Sequence, residues 1–174
     1  MINNKSVNFS RLENFSIDNW NNDIGVGLTG AFLCVKHYGF EISKNKLGGS
    51  ILNISSDLGM VGPDQNLYKI KGIENSLQPV KPVTYSVVKT GIIGLTRYIA
   101  TYWADKNVRS NAICPGGVEN NQNPEFVKEL EKRIPIGRMA KKDEYQGIVI
   151  FLLSNASSYL NGAIIPADGG RTAW

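Results

Sequence analysis

The spacing of apolar side chains first predicts a long helix and a short strand. Five apolar residues follow Ser16 at three- and four-residue intervals, and Ser16 itself can cap a helix; they are Trp20, Ile24, Leu28, Phe32 and Val35. We expect this helix to end near Gly48–Gly49. The apolar run Ser50–Ser56 then predicts a strand, and the segment Asp57–Pro82, rich in proline, glycine and asparagine, predicts a loop.

The second half of the chain continues this alternation. An apolar stripe runs along a predicted helix from Thr84 to Ala104; it consists of Val88, Ile92, Leu95, Ile99 and Tyr102. The other predicted elements are a strand at Val108–Cys114 that Pro115–Gly116–Gly117 ends, a short charged helix within Glu119–Lys142, a helix at Asp143–Ser154 and a strand at Gly162–Gly170.

Helices that alternate with short apolar strands are typical of an α/β fold with a parallel sheet. Three strands make a thin sheet, and a parallel sheet needs helices on both faces. No shift in composition marks a second domain. We therefore expect residues 1–174 to form a single, incomplete domain. It would be the C-terminal part of a doubly wound Rossmann-type sheet whose first βαβ unit is absent.

Composition and charge exclude several classes of protein. Hydrophobic residues make up 42% of the chain, enough for a core, and the net charge of +4 comes from 19 basic and 15 acidic residues that are interleaved. We expect no nucleic-acid or membrane partner. Cys34 and Cys114 stand in apolar contexts without metal-ligand spacing, which predicts core thiols of a reduced, cytoplasmic protein and no metal site. The opening MINNKSVNFS lacks the apolar stretch of a signal peptide.

A phenol and an ammonium four residues apart give the first candidate chemistry. In VTYSVVKTGIIGLTRY, Tyr85 and Lys89 fall on one helical face. Positive charge beside the phenol favours the phenolate and brings the tyrosine towards the range useful for proton transfer at neutral pH; a solvated helix face is the alternative. Ser56 and Pro115–Gly116 follow two different strands, at the edge where open α/β sheets bind ligands.

With these residues in place, the sequence from about Trp20 to Gly170 resembles the short-chain dehydrogenases/reductases. Seven segments carry the resemblance in the family's order: GLTGAFLC, GSILNISSDLG, TYSVVKTGIIGLTR, VRSNAICPGGV, IPIGRM, FLLSNASSYLNG and ADGG. The resemblance implies an oxidoreductase that interconverts an alcohol and a ketone with NAD or NADP. It also implies a homodimer or homotetramer in which the two long helices pair with their copies.

The resemblance assigns roles to individual residues. Tyr85 matches the catalytic acid/base, Lys89 the lysine that holds the nicotinamide ribose, and Ser56 the serine that hydrogen-bonds the substrate oxygen. The backbone turn that cradles the nicotinamide carboxamide corresponds to Pro115, Gly116 and Val118. The loop that covers the substrate corresponds to Glu119–Arg138.

Two departures from the family pattern bear on the site. Gly27 stands where the family usually has an asparagine of the proton relay; the alternatives are a close helix–helix contact, helped by Gly30, and room for water or substrate. Ser56 and Tyr85 are also 29 residues apart, wider than usual. The extra residues, about 64–80 and called the insertion below, form either a solvated loop or part of a substrate pocket in which Lys69 or Lys71 meets an anionic group.

The sequence pattern NISSDLG…PVKPVTYSVVK…DGGRTAW narrows the family resemblance to one branch. It is similar to a branch associated with surface-sugar and flagellin modification, which implies a sugar or nucleotide-sugar substrate.

A third departure concerns the dinucleotide site. No glycine-rich phosphate turn after a strand precedes Trp20, and the glycines of Gly25–Gly30 lie within a predicted helix. We therefore expect an N-terminally shortened chain that aggregates and binds dinucleotide poorly by itself. Two functions stay open: a short-chain dehydrogenase/reductase, and a non-catalytic remnant that oligomerises with a complete relative.

Overall fold

A computed structural model describes residues 8–174 as an α/β unit. The signal-peptide prediction depends mostly on residues 1–7, which lie outside this range. Among residues 8–174, no helix is both long and apolar enough to cross a bilayer.

The first helical region contains three α-helical segments: α1 (Ile17–Ile24), α2 (Gly30–Cys34) and α3 (Phe40–Ser43). Two π-helical turns, Gly25–Thr29 and Val35–Gly39, join them without a break in the helical backbone. The predicted cap is confirmed, because Ser16 Oγ accepts a hydrogen bond from the Asn19 N–H (3.1 Å). The π turns are not predicted by the apolar spacing.

The predicted parallel sheet is confirmed and has three strands, β1 (Gly49–Ile54), β2 (Val108–Pro115) and β3 (Ile164–Ala167), in the order β1-β2-β3. Both pairs are parallel; Gly49 lies opposite Val108 and Ala112 opposite Ile164. The carboxyl ends of all three strands therefore meet at one edge.

Helices cover both faces of this sheet. Helix α4 (Val83–Tyr102) packs on the face to which Asn53 points, where Asn53 Nδ2 donates to Thr96 Oγ1 (3.0 Å). Helix α6 (Gln146–Leu153) lies on the opposite face, where Ser50 Oγ donates to the Leu152 carbonyl (2.8 Å). Ser50 and Asn53 point to opposite faces of the strand, so each forms a hydrogen bond with the helix on its own side of the sheet.

The apolar stripe predicted on α4 is only partly buried. Val88, Ile92 and Ile99 are buried, but Tyr102 is 59% exposed. The prediction that Cys34 is a core thiol is wrong, since its helix turns that position outward and the residue is exposed; Cys114, in the central strand, is buried.

Gly27 and Gly91 allow the first helical region to lie directly against α4. A Cβ at Gly27 would lie 2.6 Å from Val88 Cγ1, and one at Gly91 would lie 2.9 Å from Leu28 Cδ1. Close helix–helix contact is therefore the reason for Gly27, and the alternative of room for water or substrate is wrong. Gly30 does not contribute, because a Cβ there would meet only the Gly25 carbonyl at 3.8 Å.

The insertion is packed onto the charged helix α5 (Pro124–Glu131) and is not simply a solvated loop. Leu67 is buried in an apolar cluster with Leu130, Ile134 and Met139. Gln78, also buried, closes the loop by accepting from the Ile70 N–H and donating to the Ile70 and Ile73 carbonyls. These contacts hold the insertion in one conformation beside the strand ends.

Candidate active site

The first turns of α4 bring Tyr85 and Lys89 to the carboxyl end of β1. Lys89 Nζ lies 5.8 Å from the centroid of the Tyr85 ring and donates a hydrogen bond to the Ile54 carbonyl (3.1 Å). Both side chains are half-buried, and burial lowers the pKa of the Lys89 ammonium. A partly desolvated ammonium at a strand end is suited to hydrogen-bond the hydroxyls of a ligand.

Ser55 connects the end of β1 to α4. The hydroxyl of Ser55 donates to the Lys89 carbonyl (2.7 Å), and the Ser55 N–H donates to the Ile113 carbonyl of β2 (2.9 Å). Ser55 is thus a structural link that fixes α4 against the sheet. Gly59 is required beside this link, because a Cβ there would lie 2.7 Å from Ser55 Oγ and 2.9 Å from the Lys89 backbone.

The hydroxyl of Ser56 is oriented by the next residue. Ser56 Oγ donates to Asp57 Oδ1 (2.8 Å) and accepts from the Leu58 N–H (3.2 Å). The other carboxylate oxygen, Asp57 Oδ2, accepts from the guanidinium of Arg171. The side chains of Asp57 and Arg171 are only 4% and 11% exposed, so a buried ion pair stands behind the serine.

A second ammonium lies at the ring of Tyr85. Lys81 Nζ is 3.7 Å from the ring centroid, closer than Lys89 Nζ. Burial lowers the pKa of Lys81, and the neighbouring charges of Arg171 and Lys89 act in the same direction, while Asp57 opposes them. The phenol of Tyr68, whose pKa burial raises, is also influenced by the charges of Asp57, Arg171 and Tyr85.

The turn after β2 lies at the same edge of the sheet. Gly116 donates its N–H to the Ala167 carbonyl of β3 (3.2 Å), and a Cβ there would lie 2.9 Å from Asp168 Cα. Val118 forms an isolated parallel bridge with Ala140, but its own N–H makes no hydrogen bond within residues 8–174. A pocket of about 180 Å³ opens beside Gly116, between Ala167 and Tyr145.

The sequence-predicted residues therefore fall on two neighbouring strand ends and one helix. Lys89 lies beside Tyr85 and bonds to Ile54 and Ser55 at the end of β1, and Ser56 is the next residue along the chain. Pro115, Gly116 and Val118 belong to the end of β2 and the turn after it. Sequence reasoning misses Lys81, Asp57 and Arg171. For Asp57, the available signal is a carboxylate directly after the serine pair, at the end of an apolar strand.

Known proteins match the chain over most of its length. A family model described as enoyl-(acyl carrier protein) reductase matches residues 73–172. An uncharacterised oxidoreductase from Thermotoga maritima is 30% identical over 184 residues, covering 99% of this chain and 66% of the relative.

Two solved structures share the fold. A short chain dehydrogenase from Leptospira borgpetersenii with bound NAD+ superposes with a TM-score of 0.80 at 34% identity, covering 92% of this chain and 59% of that one. A gluconate 5-dehydrogenase from Burkholderia cenocepacia in complex with NADP and tartrate gives a TM-score of 0.80 at 27% identity, covering 94% and 60%. The chain thus spans between 59% and 66% of the length of these three proteins.

Proposed function

Because this chain belongs to the short-chain dehydrogenase/reductase family, we propose that it is an oxidoreductase that interconverts an alcohol and a ketone with NAD or NADP. The observation that carries the proposal is the junction of α4 with the end of β1. There Lys89 bonds to the Ile54 carbonyl and Ser55 bonds to the Lys89 carbonyl, so that Tyr85, Lys89 and Ser56 share one edge of the sheet.

In this function Tyr85 transfers the proton. Its phenol donates a proton to the carbonyl oxygen during reduction, and the phenolate form removes the hydroxyl proton during oxidation. Ser56 holds the same substrate oxygen. In this structure the Ser56 hydroxyl donates to Asp57 Oδ1 (2.8 Å), because a carboxylate only accepts hydrogen bonds. To hold the substrate oxygen, the hydroxyl must rotate away from Asp57 and donate to that oxygen instead.

Residues of this chain fit the nicotinamide end of the cofactor, which supplies or accepts the hydride when bound. The Lys89 ammonium suits the ribose hydroxyls. The Val118 N–H, which has no partner within residues 8–174, suits the carboxamide oxygen. Pro115 and Gly116 hold the turn that presents this N–H, through the Gly116 bond to β3.

For the substrate, we propose a sugar or sugar derivative. The gluconate 5-dehydrogenase from Burkholderia cenocepacia, named for a sugar acid, supports a polyhydroxy substrate by analogy. A more specific hypothesis is a nucleotide sugar of surface-polysaccharide or flagellin modification. It rests on the sequence pattern NISSDLG…PVKPVTYSVVK…DGGRTAW alone.

We also propose a cytoplasmic homodimer or homotetramer. Both cysteines, Cys34 and Cys114, are free thiols, as expected in a reducing compartment. Large side chains on the first helical region and on α4 are exposed and can pack against a second copy; they include Phe32, Phe40, Tyr98 and Tyr102.

The test is turnover by the purified protein. A panel of sugars, sugar acids and their keto forms is assayed with NAD+, NADP+, NADH and NADPH. Replacement Tyr85→Phe should lower turnover by about 10²- to 10⁴-fold, the usual contribution of a positioned proton donor. Tyr98→Phe, on an exposed turn of the same helix, serves as the control. Near-normal turnover in Tyr85→Phe would contradict the assignment, and a wild-type protein that binds the dinucleotide but shows no turnover would favour the non-catalytic remnant.

A further inference from the structure

The position of Lys81 gives Tyr85 a cation that the Tyr-x-x-x-Lys spacing does not predict. Lys81 is the first residue after the insertion, and its backbone N–H donates to Gln65 Oε1 (2.9 Å). Pro82 follows it, and the Pro82 carbonyl accepts from the Tyr85 N–H (3.1 Å) as α4 begins. These contacts fix the backbone, and the side chain extends over the Tyr85 ring, where its Nζ is 3.7 Å from the centroid.

The charge of Lys81 is not neutralised within residues 8–174. Its ammonium takes part in no ion pair there, and the nearby carboxylate of Asp57 already bonds to Arg171 and Ser56. Lys89 and Arg171 add further positive charge nearby. A half-buried cation without a counter-ion is costly, so an anion that reaches this edge of the sheet is attracted to it.

We propose that Lys81 binds an anionic group of the substrate, a carboxylate or a phosphate, next to the hydroxyl that reacts at Tyr85. The inference rests on the proposed dehydrogenase function and narrows its substrate to an anionic sugar derivative. A lysine ammonium acts as a point charge, which suits either anion. Because the ammonium lies on the ring of the reacting phenol, the anionic group is only a few bonds from the carbon that is oxidised.

The first experiment measures binding without turnover. Gluconate, glucose 6-phosphate and glucose are titrated by calorimetry into the wild-type protein and into the variants Lys81→Met, Lys81→Arg and Lys46→Met. We expect Lys81→Met to raise the Kd of an anionic probe by about 10- to 100-fold, the effect of losing a hydrogen bond to a charged group. Lys81→Arg should keep most of the affinity. Lys46→Met, which replaces an exposed lysine just before the amino end of β1, should change it by less than about twofold.

The three probes separate the sources of binding. Gluconate and glucose 6-phosphate distinguish a carboxylate from a phosphate, and glucose should bind equally to all four proteins. The inference is overturned if no anion binds the wild-type protein, or if Lys81→Met binds the anions as well as the wild type does. It is also overturned if Lys81→Met loses affinity for glucose by the same factor as for the anions.

The second experiment measures turnover of the same three compounds with NAD+ and NADP+. Lys81→Met should lower kcat/KM for the anionic substrate by a larger factor than kcat/KM for a neutral one. Equal loss for both would overturn the inference while leaving the dehydrogenase function intact. Anion binding that depends on Lys81, in a protein that binds the dinucleotide but turns over no member of the sugar panel, would instead refute the dehydrogenase function and leave an anion site.

Discussion

At the level of single residues, the Ser56 hydroxyl is held by a charged neighbour that is itself buried. Asp57 bonds to Ser56 through one oxygen and to Arg171 through the other. A buried ion pair adds little net stability when both partners are present, but removing one partner leaves the other charge desolvated and unpaired. The pair fixes the orientation of Ser56. Removing either charge should strongly lower the stability of the fold.

Asp57→Asn should for this reason lower the free energy of unfolding by about 3–5 kcal/mol. Asp105→Asn, which removes the exposed pair of Asp105 with Lys106 (3.3 Å), should cost less than about 1 kcal/mol. Urea denaturation of both variants checks the difference. Equal costs would show that the Asp57–Arg171 pair is not desolvated in solution.

Glu144 gives a residue-scale prediction on pH. Its bonds to Arg138 (2.6 Å), the main cause, and to the Lys141 N–H (2.8 Å) lower the pKa of its carboxyl from 4.5 to about 2. Because the pKa is depressed in the folded state, the stabilisation is present above pH 4.5 and is lost as the pH falls towards 2.

Carboxyl-carbon NMR should show Glu144 titrating near pH 2, and Arg138→Gln should move that midpoint upwards towards 4.5. Arg97→Gln, which replaces an exposed arginine of α4, should leave the midpoint in place. A midpoint that does not respond to Arg138→Gln would mean that the pair does not form in solution.

At the level of secondary-structure elements, the two glycine contacts set the distance between the first helical region and α4. Gly27 faces Val88 and Gly91 faces Leu28, so each helix contributes one glycine and receives one apolar side chain. Gly25, two residues before Gly27, has nothing within 4 Å of its would-be Cβ and provides a matched comparison.

Gly27→Ala should destabilise the protein by about 1–3 kcal/mol through overpacking against Val88. Gly25→Ala should be neutral or stabilise it by up to about 1 kcal/mol, because alanine favours helix. Thermal or urea denaturation measures both. Val88→Ala added to Gly27→Ala should recover part of the loss, and failure to do so would place the strain elsewhere.

Much of this level could be predicted from the sequence. Apolar spacing and the Ser16 cap are local signals, so the sheet strands and α4 are found within a few residues of their predicted bounds. The burial of Tyr102 and Cys34 is predicted wrongly, because local spacing does not tell which side of a helix has a neighbour.

The candidate residues Ser56, Tyr85 and Lys89 follow from motif spacing. Arg171 and Lys81 could not be found, since their contacts depend on the tertiary fold.

For the whole molecule, apolar surface on the first helical region and on α4 predicts self-association. Phe40 is 51% exposed and Tyr98 is 62% exposed, and patches of this kind mark interaction sites. We expect a homodimer or homotetramer by light scattering at micromolar concentration. Tyr98→Glu should shift the population towards monomer, whereas Tyr159→Glu, at a fully exposed residue outside these helices, should not. A folded wild-type monomer would contradict this prediction.

The Asp57–Arg171 pair also has a consequence for the order of folding. Its partners are 114 residues apart in the chain, so the contact that orients Ser56 closes one of the longest loops in the molecule. Long-range contacts form late, because closing the loop costs entropy before the free energy of the contact offsets that cost. During synthesis on a ribosome, Asp57 emerges well before Arg171 and must stay hydrated until the guanidinium arrives. The hydrogen bonds that orient Ser56 can therefore be completed only after β2, α6 and β3 have been made.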